Sequence, residues 1–478
     1  MLFSFINPRP NTYNTMIDAS PPLGILYIAS FLHSYGIKVS VLDQAAEGFS
    51  MKKAVDWVMK EDPDILGIST LSRSSFVAPK IAEEVKKQNP NATIVFGNHH
   101  ATFNATRLLK KYAYVDVIVR GEGEQTCLEL ANCVKEKQSF KKIRGITYRD
   151  RGRIVTNPDR PLIKNIDSLP FPDRSLLHVD YHNNTMGIIV SPKKFTSFLS
   201  SRGCVFKCRF CSCTSIARGI WRSRSIENML EELHQITSEG HKQLMFVDDN
   251  FTLNPKRVIE FCQKIRKEKI DVEWICEGRV DQCSINMLHE MVKAGCRMIY
   301  FGIESANQKV LDYYNKGTTP QQSEKAVAKA RKAGVDVIVG SFIIGAPNET
   351  IKDVQKTLDF TTRLDIDIPQ INLLEANPGT ILWEELRHKE LLNEEEYWET
   401  GAFVSDLIHN AVPCCELTQM IADFYTAFLN RPQYILKQML LTMRSRYRLN
   451  IVLNNLGRFK TIAKNINSFT VTNAEKKK

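Results

Sequence analysis

The stretch Thr196–Cys211, TSFLSSRGCVFKCRFC, joins an apolar strand to a loop that holds three closely spaced cysteines. Residues 196–201 form the predicted strand, and the spacing that follows is C-x3-C-x2-C, at Cys204, Cys208 and Cys211. Three thiolates this close together can hold an iron–sulfur cluster. Barrel enzymes place their chemistry in the loops that follow their strands. The stretch therefore predicts a metal-cluster site at the carboxyl end of the first strand of an α/β barrel.

A zinc site is the alternative interpretation of the same cysteines, because Cys213 is close enough in the chain to supply a fourth ligand. We favour the iron–sulfur cluster and expect Cys213 to be a small packed residue. The first residues lack the pattern of a secretory signal, so we expect no disulfide framework. The remaining cysteines are expected on helices and strands, as core residues.

Strand and helix signals alternate from about residue 195 to residue 375. Apolar strands separated by helices form parallel sheets that are covered on both faces. Six such units fit a partial (β/α)6 barrel of the TIM type, with its chemistry at the carboxyl ends of the strands. The later strands are expected at 243–248, 271–277, 297–303, 336–343 and 369–374, and the helices at 226–239, 255–269, 285–294, 321–333 and 351–364.

A second alternation of strands and helices fills residues 1–135 and predicts a flavodoxin-like, Rossmann-type α/β domain, which binds its ligand at the carboxyl ends of the strands. Its strands are expected at 2–7, 38–43, 64–70, 93–98 and 115–121, and its helices at 24–35, 52–60, 76–88 and 105–111. The chain is therefore divided into an N-terminal domain at 1–135, a hairpin and proline-rich linker at 136–190, the barrel at 191–390 and a helical region at 391–478.

The positive charge of the chain is concentrated near its C-terminus. The 478 residues carry a net charge of +11, and Arg431–Lys478 contains eleven Lys or Arg residues and one acid. The remainder is nearly neutral, which argues against a nucleic-acid groove. The composition, 43% hydrophobic and 24% charged, is that of a globular protein. The sequence has no uncharged apolar run of about 18 residues, so we expect a cytoplasmic protein without a membrane-spanning helix.

Apolar and basic positions recur every three or four residues over 431–464, as in a basic amphipathic helix. Such a helix suits an anionic membrane surface. The alternative is a helix that packs on the barrel and turns its arginines to water. We expect peripheral contact with the inner membrane surface through this tail and a hydrophobic substrate, either lipid-like or porphyrin-like.

The barrel region resembles the radical S-adenosylmethionine (SAM) superfamily. Beyond the cysteine loop, the matching motifs end successive strands in the right order, at 246–251 (FVDDNF), 276–281 (CEGRVD), 302–305 (GIES) and 340–347 (GSFIIGAP). The resemblance implies one [4Fe-4S] cluster, with one iron open for SAM, held by Cys204, Cys208 and Cys211. It also implies that SAM is held by Asp248, Asp249, Arg279 and Glu304. An arginine suits a carboxylate, and acids suit an ammonium or ribose hydroxyls.

The N-terminal domain resembles the cobalamin-binding domain that is fused to many radical enzymes. The matching motifs are 21–24 (PPLG), 69–72 (STLS), 97–102 (GNHHAT) and 120–124 (RGEGE). They imply that cobalamin contacts Ser69, Leu71, Gly97, Gly121 and Glu122. Many cobalamin proteins carry D-x-H-x-x-G after the first strand, with a histidine on cobalt. Here that strand leads into Asn7-Pro8-Arg9-Pro10, so we expect cobalamin without a histidine ligand below its cobalt.

Together these features resemble the subfamily of anaerobic magnesium-protoporphyrin IX monomethyl ester cyclases and radical C-methyltransferases. The resemblance implies cleavage of SAM to a 5′-deoxyadenosyl radical, and C-methylation or cyclisation at an unactivated carbon. It also implies anaerobic work with a reductant such as flavodoxin or ferredoxin. No general base is predicted. The alternatives are a tRNA methylthiotransferase-like radical SAM enzyme and a non-catalytic cobalamin carrier or sensor. His99 and His100 are expected on an extended segment, where neighbours point apart and do not share a metal.

Overall fold

The computed structural model describes residues 1–10, 20–185, 188–400, 405, 408 and 411–457. The chain divides into two compact units. The first comprises Met1–Tyr181 with Ser215–Ala217, and the second comprises His182–Thr214 with Arg218–Lys478. Both are α/β, and the predicted fold class is confirmed. No helix in the described ranges is long and apolar enough to span a membrane.

The first unit is built on a seven-stranded sheet with the order β2-β1-β3-β4-β5-β6-β7. The strands are β1 Leu2–Asn7, β2 Lys38–Asp43, β3 Ile65–Ser69, β4 Thr93–Gly97, β5 Val117–Val119, β6 Ile146–Asp150 and β7 Arg153–Thr156. Strands β1 to β5 pair in parallel. Because β1 lies between β2 and β3, the chain order reverses there, and this is where doubly wound sheets bind ligands.

Helices of the first unit are α1 Leu23–Ser34, α2 Met51–Glu61, α3 Ala78–Gln88, α4 Asn98–Phe103, α5 Ala105–Lys111 and α6 Glu124–Lys135. Ser50 precedes helix α2, and its side chain accepts a hydrogen bond from the Lys53 amide and so caps the helix. The predicted hairpin forms, and β6 pairs antiparallel with β5. The hairpin therefore extends the first sheet, and the first unit continues well beyond residue 135.

The second unit contains a sheet of the order β16-β15-β14-β13-β12-β9-β8. Strands β9 and β12 to β16 pair in parallel and form the six-stranded partial barrel. The strands are β8 Tyr181–Thr185, β9 Ile188–Phe198, β10 Ser201–Arg202, β11 Arg222–Ser223, β12 Gln243–Phe246, β13 Glu273–Arg279, β14 Cys296–Glu304, β15 Val337–Ile344 and β16 Ile368–Leu373. All six predicted barrel strands are present, although β9 begins earlier than expected.

Helices cover the outer face of this sheet and bury one large apolar core. The core contains residues of α8, α9, α10, α12, α13 and α16. The helices after residue 212 are α7 Cys213–Ala217, α8 Ile226–Ser238, α9 Pro255–Lys267, α10 Ile285–Lys293, α11 Gln308–Tyr313, α12 Pro320–Ala333, α13 Ile351–Arg363, α14 Ile381–His388, α15 Glu394–Thr400, α16 Cys414–Leu429, α17 Pro432–Arg444 and α18 Arg446–Asn455. Helix α12 shows why they start where they do. Thr319 and Gln322 form a capping box, and Pro320 occupies the first turn.

Helix α18 packs against the inner face of the partial barrel. Tyr447 and Ile451 contact a cluster that includes Ile275 and Met298, which alternate along their strands with residues facing the outer helices. Arg448 is buried and forms an ion pair with Asp367 at 2.7 Å. This part of the tail closes one side of the barrel interior, whereas residues 458–464 of the predicted amphipathic helix lie outside the described residues.

Candidate active site

The three cysteines lie on the loop between β10 and α7, after the first barrel strand. Cys208 is buried, while Cys204 and Cys211 are half-buried. The Cys211 amide donates to the carbonyl oxygen of Cys208 at 3.1 Å, which closes the loop into a turn. Burial raises the pKa of Cys204 and of Cys208, and a hydrogen bond from Cys213 lowers the pKa of Cys211. One loop thus presents three thiols of the kind that bind an iron–sulfur cluster.

Neighbouring segments fix this loop from two directions. The Arg209 amide donates to the carbonyl oxygen of Tyr314 at 2.9 Å, and Asn315 Nδ2 donates to the carbonyl oxygen of Lys207 at 2.8 Å. Arg209 also forms an ion pair with Glu385 on α14. Among the described residues, no group of three or more His, Cys, Asp or Glu side chains is arranged around a single metal-ion position.

The two aspartates after β12 have different tasks. Asp248 is 2% exposed, and its carboxylate accepts hydrogen bonds from the amide of Ser200 at 2.8 Å and from the hydroxyls of Ser200 and Ser201. Burial raises the pKa of Asp248, and these hydrogen bonds oppose that effect. Asp249 is exposed and accepts from the Gly203 amide at 2.8 Å. Asp248 therefore fixes the segment that follows β9, whereas Asp249 holds the cysteine loop through the Gly203 amide.

Glu304 ends β14 in a strained conformation. Its φ is +64°, in the left-handed region, where the pairing register with β15 shifts. Its carboxylate binds Lys316 Nζ at 2.5 Å, and both side chains are less than a tenth exposed. A Cβ on Gly302 would lie 2.6 Å from the Glu304 carboxylate and 2.8 Å from Lys316 Nζ, so the ion pair needs glycine there. Lys316 was not among the predicted site residues.

Arg279 ends β13 beside the cysteines and is 6% exposed. Its Nη1 donates to Cys208 Sγ at 3.7 Å, and its Nε donates to Asp281 at 3.0 Å. Its Nη2 donates to the carbonyl oxygen of Lys316 at 2.7 Å. The guanidinium also lies 3.6 Å from the centre of the Phe206 ring. The structure therefore brings Arg279, Lys316 and Glu304 together next to the cysteine loop.

Glu277 is a second residue that the sequence analysis did not single out. It is the exposed residue of β13, and its neighbours on both sides are buried. Side chains alternate along a strand, so Glu277, two residues after Ile275, points to the same inner face of the barrel. Although the side chain is accessible from the barrel interior, the protein around it removes much of its hydration and so raises its pKa, and the charges of Asp249 and Glu304 raise that pKa further. Glu277 thus presents a carboxylate to the barrel interior.

The predicted cobalamin residues lie at the carboxyl ends of β3, β4 and β5 in the first unit. Asn98 Nδ2 donates to Ser69 Oγ at 2.9 Å, and the Thr70 amide donates to the carbonyl oxygen of Gly97 at 2.9 Å. Gly121 has a φ of +73° with open space around its Cα, and Leu71 is 43% exposed. These small residues and an exposed leucine suit a large flat ligand such as a corrin.

Two expectations for this unit need qualification. Glu122 accepts a hydrogen bond from the Ile163 amide at 2.7 Å, so its carboxylate holds the linker segment in place. The expectation of an extended segment at His99 and His100 is wrong, because both lie on helix α4. His100 is buried, and burial lowers its pKa to about 3, so the ring stays neutral. At the end of β1, Asn7 Nδ2 donates to Asp43 at 3.3 Å.

Comparisons with known proteins agree with this geometry. Residues 198–361 match the radical SAM superfamily, and residues 18–131 match the B12-binding domain. The chain is 35% identical to an uncharacterized methyltransferase of Pyrococcus horikoshii, over 87% of this chain and 89% of that protein. It is 29% identical to the anaerobic magnesium-protoporphyrin IX monomethyl ester cyclase of Rubrivivax gelatinosus, over 90% and 78% of the two chains.

A solved structure shows the same fold. The cobalamin-dependent SAM radical enzyme OxsB, with aqua-cobalamin and SAM bound, aligns with a TM-score of 0.71 at 18% identity. The alignment covers 99% of this chain and 75% of that one. The family matches confirm the expected cofactors, namely a [4Fe-4S] cluster, SAM and cobalamin. The chain therefore belongs to the radical SAM superfamily, carries a B12-binding domain, and is an enzyme of the methyltransferase or cyclase type.

Proposed function

We propose that this enzyme methylates or cyclises an unactivated carbon of a hydrophobic, lipid-like or porphyrin-like substrate. The observation that carries the proposal is the cysteine loop after the first barrel strand, with Arg279, Lys316 and Glu304 at the neighbouring strand ends. A relative of the chain is named for a magnesium porphyrin, which supports a large, largely apolar substrate.

Cys204, Cys208 and Cys211 are the proposed ligands of the cluster, which, when bound, supplies the electron that cleaves SAM. Asp249 and Glu304 are the acids proposed to face the ammonium or ribose of SAM. Glu304 is held in place by Lys316, so its carboxylate needs no rearrangement when SAM arrives. Asp248 acts indirectly, because its oxygens hold Ser200 and Ser201.

In the first unit, Ser69, Leu71, Gly97 and Gly121 are proposed to line the corrin. The glycines allow close approach of backbone to a flat ring, and Leu71 offers apolar surface. Glu122 is proposed to support this edge through the Ile163 amide and not through the ligand. The segment directly after β1, Asn7-Pro8-Arg9-Pro10, contains no histidine, so the proposed site binds cobalamin without a histidine below cobalt.

Anaerobic reconstitution tests the catalytic proposal. The protein is supplied with iron, sulfide, a reductant and SAM, and release of 5′-deoxyadenosine is measured. We expect deoxyadenosine from the wild type and none above background from C204A, C208A or C211A. C133S, which alters a cysteine of α6 in the first unit, is the matched control and is expected to retain activity. Equal activity of C208A and wild type would refute the ligand assignment. Flavodoxin or ferredoxin is the proposed physiological reductant.

We propose further that helix α17 contacts an anionic membrane surface. One face of this helix exposes five apolar side chains, each 43% exposed or more, namely Ile435, Leu436, Met439, Leu440 and Met443. Arg444 and Arg446 are exposed beside its end. Apolar area next to basic charge favours binding to anionic lipid. Arg448 does not contribute, because it pairs with Asp367.

Flotation with anionic and neutral vesicles tests the membrane proposal. We expect the full chain to float with anionic vesicles and the L436E/M443E variant to stay in the aqueous fraction. L449E/L453E changes two exposed leucines of α18 and is the matched control. Recovery of L436E/M443E with anionic vesicles at the wild-type level would refute the role of α17.

A further inference from the structure

Arg279 is shared among four groups, and this leaves its guanidinium little freedom to meet a ligand. Nε and Nη2 donate hydrogen bonds to the two carboxylate oxygens of Asp281, at 3.0 and 3.2 Å. Nη2 also donates to the Lys316 carbonyl oxygen, and Nη1 points to Cys208 Sγ. Each of the three nitrogens therefore has a protein partner. An arginine that clamps the carboxylate of SAM needs two free parallel N–H groups.

The contact with Cys208 is the informative one. Cys208 is buried, and its sulfur atom accepts a hydrogen bond from Arg279 Nη1 at 3.7 Å. The Phe206 ring lies on the guanidinium at 3.6 Å, so Arg279 contacts the cysteine loop through both a ring face and a sulfur atom. Asp281 binds the guanidinium of Arg279 from the opposite side and holds it in this orientation.

We propose that Arg279 positions Cys208 and tunes the cluster, and that it is not the residue that binds the SAM carboxylate. This inference rests on the proposed function, because it requires Cys208 to be a cluster ligand. An N–H donor with a full positive charge stabilises the thiolate and, more strongly, the reduced cluster, which carries one more negative charge. Arg279 therefore makes reduction of the cluster easier, and Lys316, whose carbonyl it holds, is fixed by the same residue.

A redox titration combined with SAM binding separates this role from carboxylate binding. Wild type, R279Q and R279K are reconstituted anaerobically and checked for iron and sulfide content. The reduced cluster is then followed by electron paramagnetic resonance against potential, and SAM affinity is measured by equilibrium dialysis. R266Q removes an arginine of α9 that pairs with Glu290 on the outer surface, and it is the matched control for loss of charge.

We expect the equilibrium constant for reduction of the cluster to be at least about tenfold lower in R279Q than in wild type. This corresponds to a reduction potential about 59 mV lower for a one-electron couple. Its affinity for SAM should stay within about threefold, and R266Q should match wild type in both measurements. R279K keeps the charge but loses the planar fork, so an intermediate potential is expected. If R279Q does not take up a full cluster, the reduction potential of R279K relative to wild type tests the role of Arg279 in the same way.

An unchanged potential in R279Q or R279K with SAM binding weakened about tenfold would overturn the inference in favour of the carboxylate clamp. An unchanged potential with unchanged SAM affinity would also overturn it. Failure of the proposed function looks different, because the wild type itself would then show no [4Fe-4S] signal.

Discussion

The two units end their parallel strands with different chemistry. In the first unit the neutral residues Ser69 and Gly97 end β3 and β4, and Asn98, which follows β4, donates a hydrogen bond to Ser69. In the second unit Arg279 and Glu304 end β13 and β14, and both are buried and bound to Lys316, Arg279 through its carbonyl oxygen and Glu304 through its Nζ. Neutral strand ends leave an accessible face for a large ligand. Paired buried charges instead create a preorganised electrostatic field around a small charged ligand.

Cys208→Ala tests whether the two units bind their cofactors independently, and it has the largest expected effect. Removal of one thiolate should abolish cluster assembly, because the C-x3-C-x2-C spacing would then keep two of its three proposed ligands. Cobalamin binding by the first unit should remain. Iron, sulfide and cobalamin are measured in one reconstituted sample. Loss of cobalamin together with iron would show that the two units do not bind their cofactors independently.

Lys316→Met tests how much the Glu304–Lys316 ion pair contributes to the free energy of unfolding. It leaves the Glu304 carboxylate buried without its cation, and breaking a buried pair typically costs about 3–5 kcal/mol. Denaturant unfolding of the apoprotein should show this loss. The double variant E304Q/K316M should recover much of the stability, because no unpaired charge remains. Equal losses in the single and double variants would mean that the ion pair does not explain the effect.

Glu349→Gln tests a buried acid that follows a strand of the partial barrel. Glu349 is 1% exposed after β15, and burial raises its pKa from 4.5 to about 7, although it accepts from the amides of Gly345 and Ala346. The folded state thus holds a proton that the unfolded state has lost. Stability of the wild type relative to E349Q should fall between about pH 4.5 and pH 7, and then level off.

The size of that fall is about 3 kcal/mol at most. Melting temperatures of the wild type and of E349Q, measured from pH 5 to pH 8, check it, because the pH dependence of every other group cancels in the difference. A difference that stays constant with pH would show that Glu349 titrates normally in the folded protein.

Leu71→Asp tests the neutral face of the first unit, with the smallest expected effect. Leu71 is already 43% exposed, so stability should change by less than about 0.5 kcal/mol. Cobalamin should bind about tenfold more weakly, because a leucine buried by the ligand contributes roughly 1.5 kcal/mol or more. Leu449→Asp, at a similarly exposed leucine of α18, is the control. Unchanged cobalamin absorbance titrations for L71D would remove Leu71 from the site.

Sequence periodicity and spacing were enough to predict the strands and to find the cysteine loop, because both signals are local in the chain. Long-range pairs were beyond such reasoning. Lys316 follows a short helix, and nothing nearby in the chain indicates that it meets Glu304. The partner of Asp248 is likewise the end of a strand 48 residues earlier. In the folded chain, two predicted SAM ligands also contact groups near the cysteine loop: Asp248 accepts from Ser200, and Arg279 donates to Cys208.

The tail illustrates the same limit. Its apolar and basic pattern predicts one amphipathic helix, but a break at Ser445 separates α17 from α18. Tyr447 and Arg448 then turn inward, because the open inner face of the barrel offers Ile275 and Asp367 as partners. Only the tertiary structure reveals that surface, so the pattern alone did not distinguish a membrane-facing helix from one that closes the barrel.

Electron paramagnetic resonance of the reduced, anaerobically reconstituted wild type tests the account most directly. We expect the signal of a single [4Fe-4S]+ cluster and a change in that signal when SAM is added, because SAM then binds the iron that no cysteine holds. Tightly bound zinc in place of iron, or a cluster whose signal is indifferent to SAM, would contradict the account.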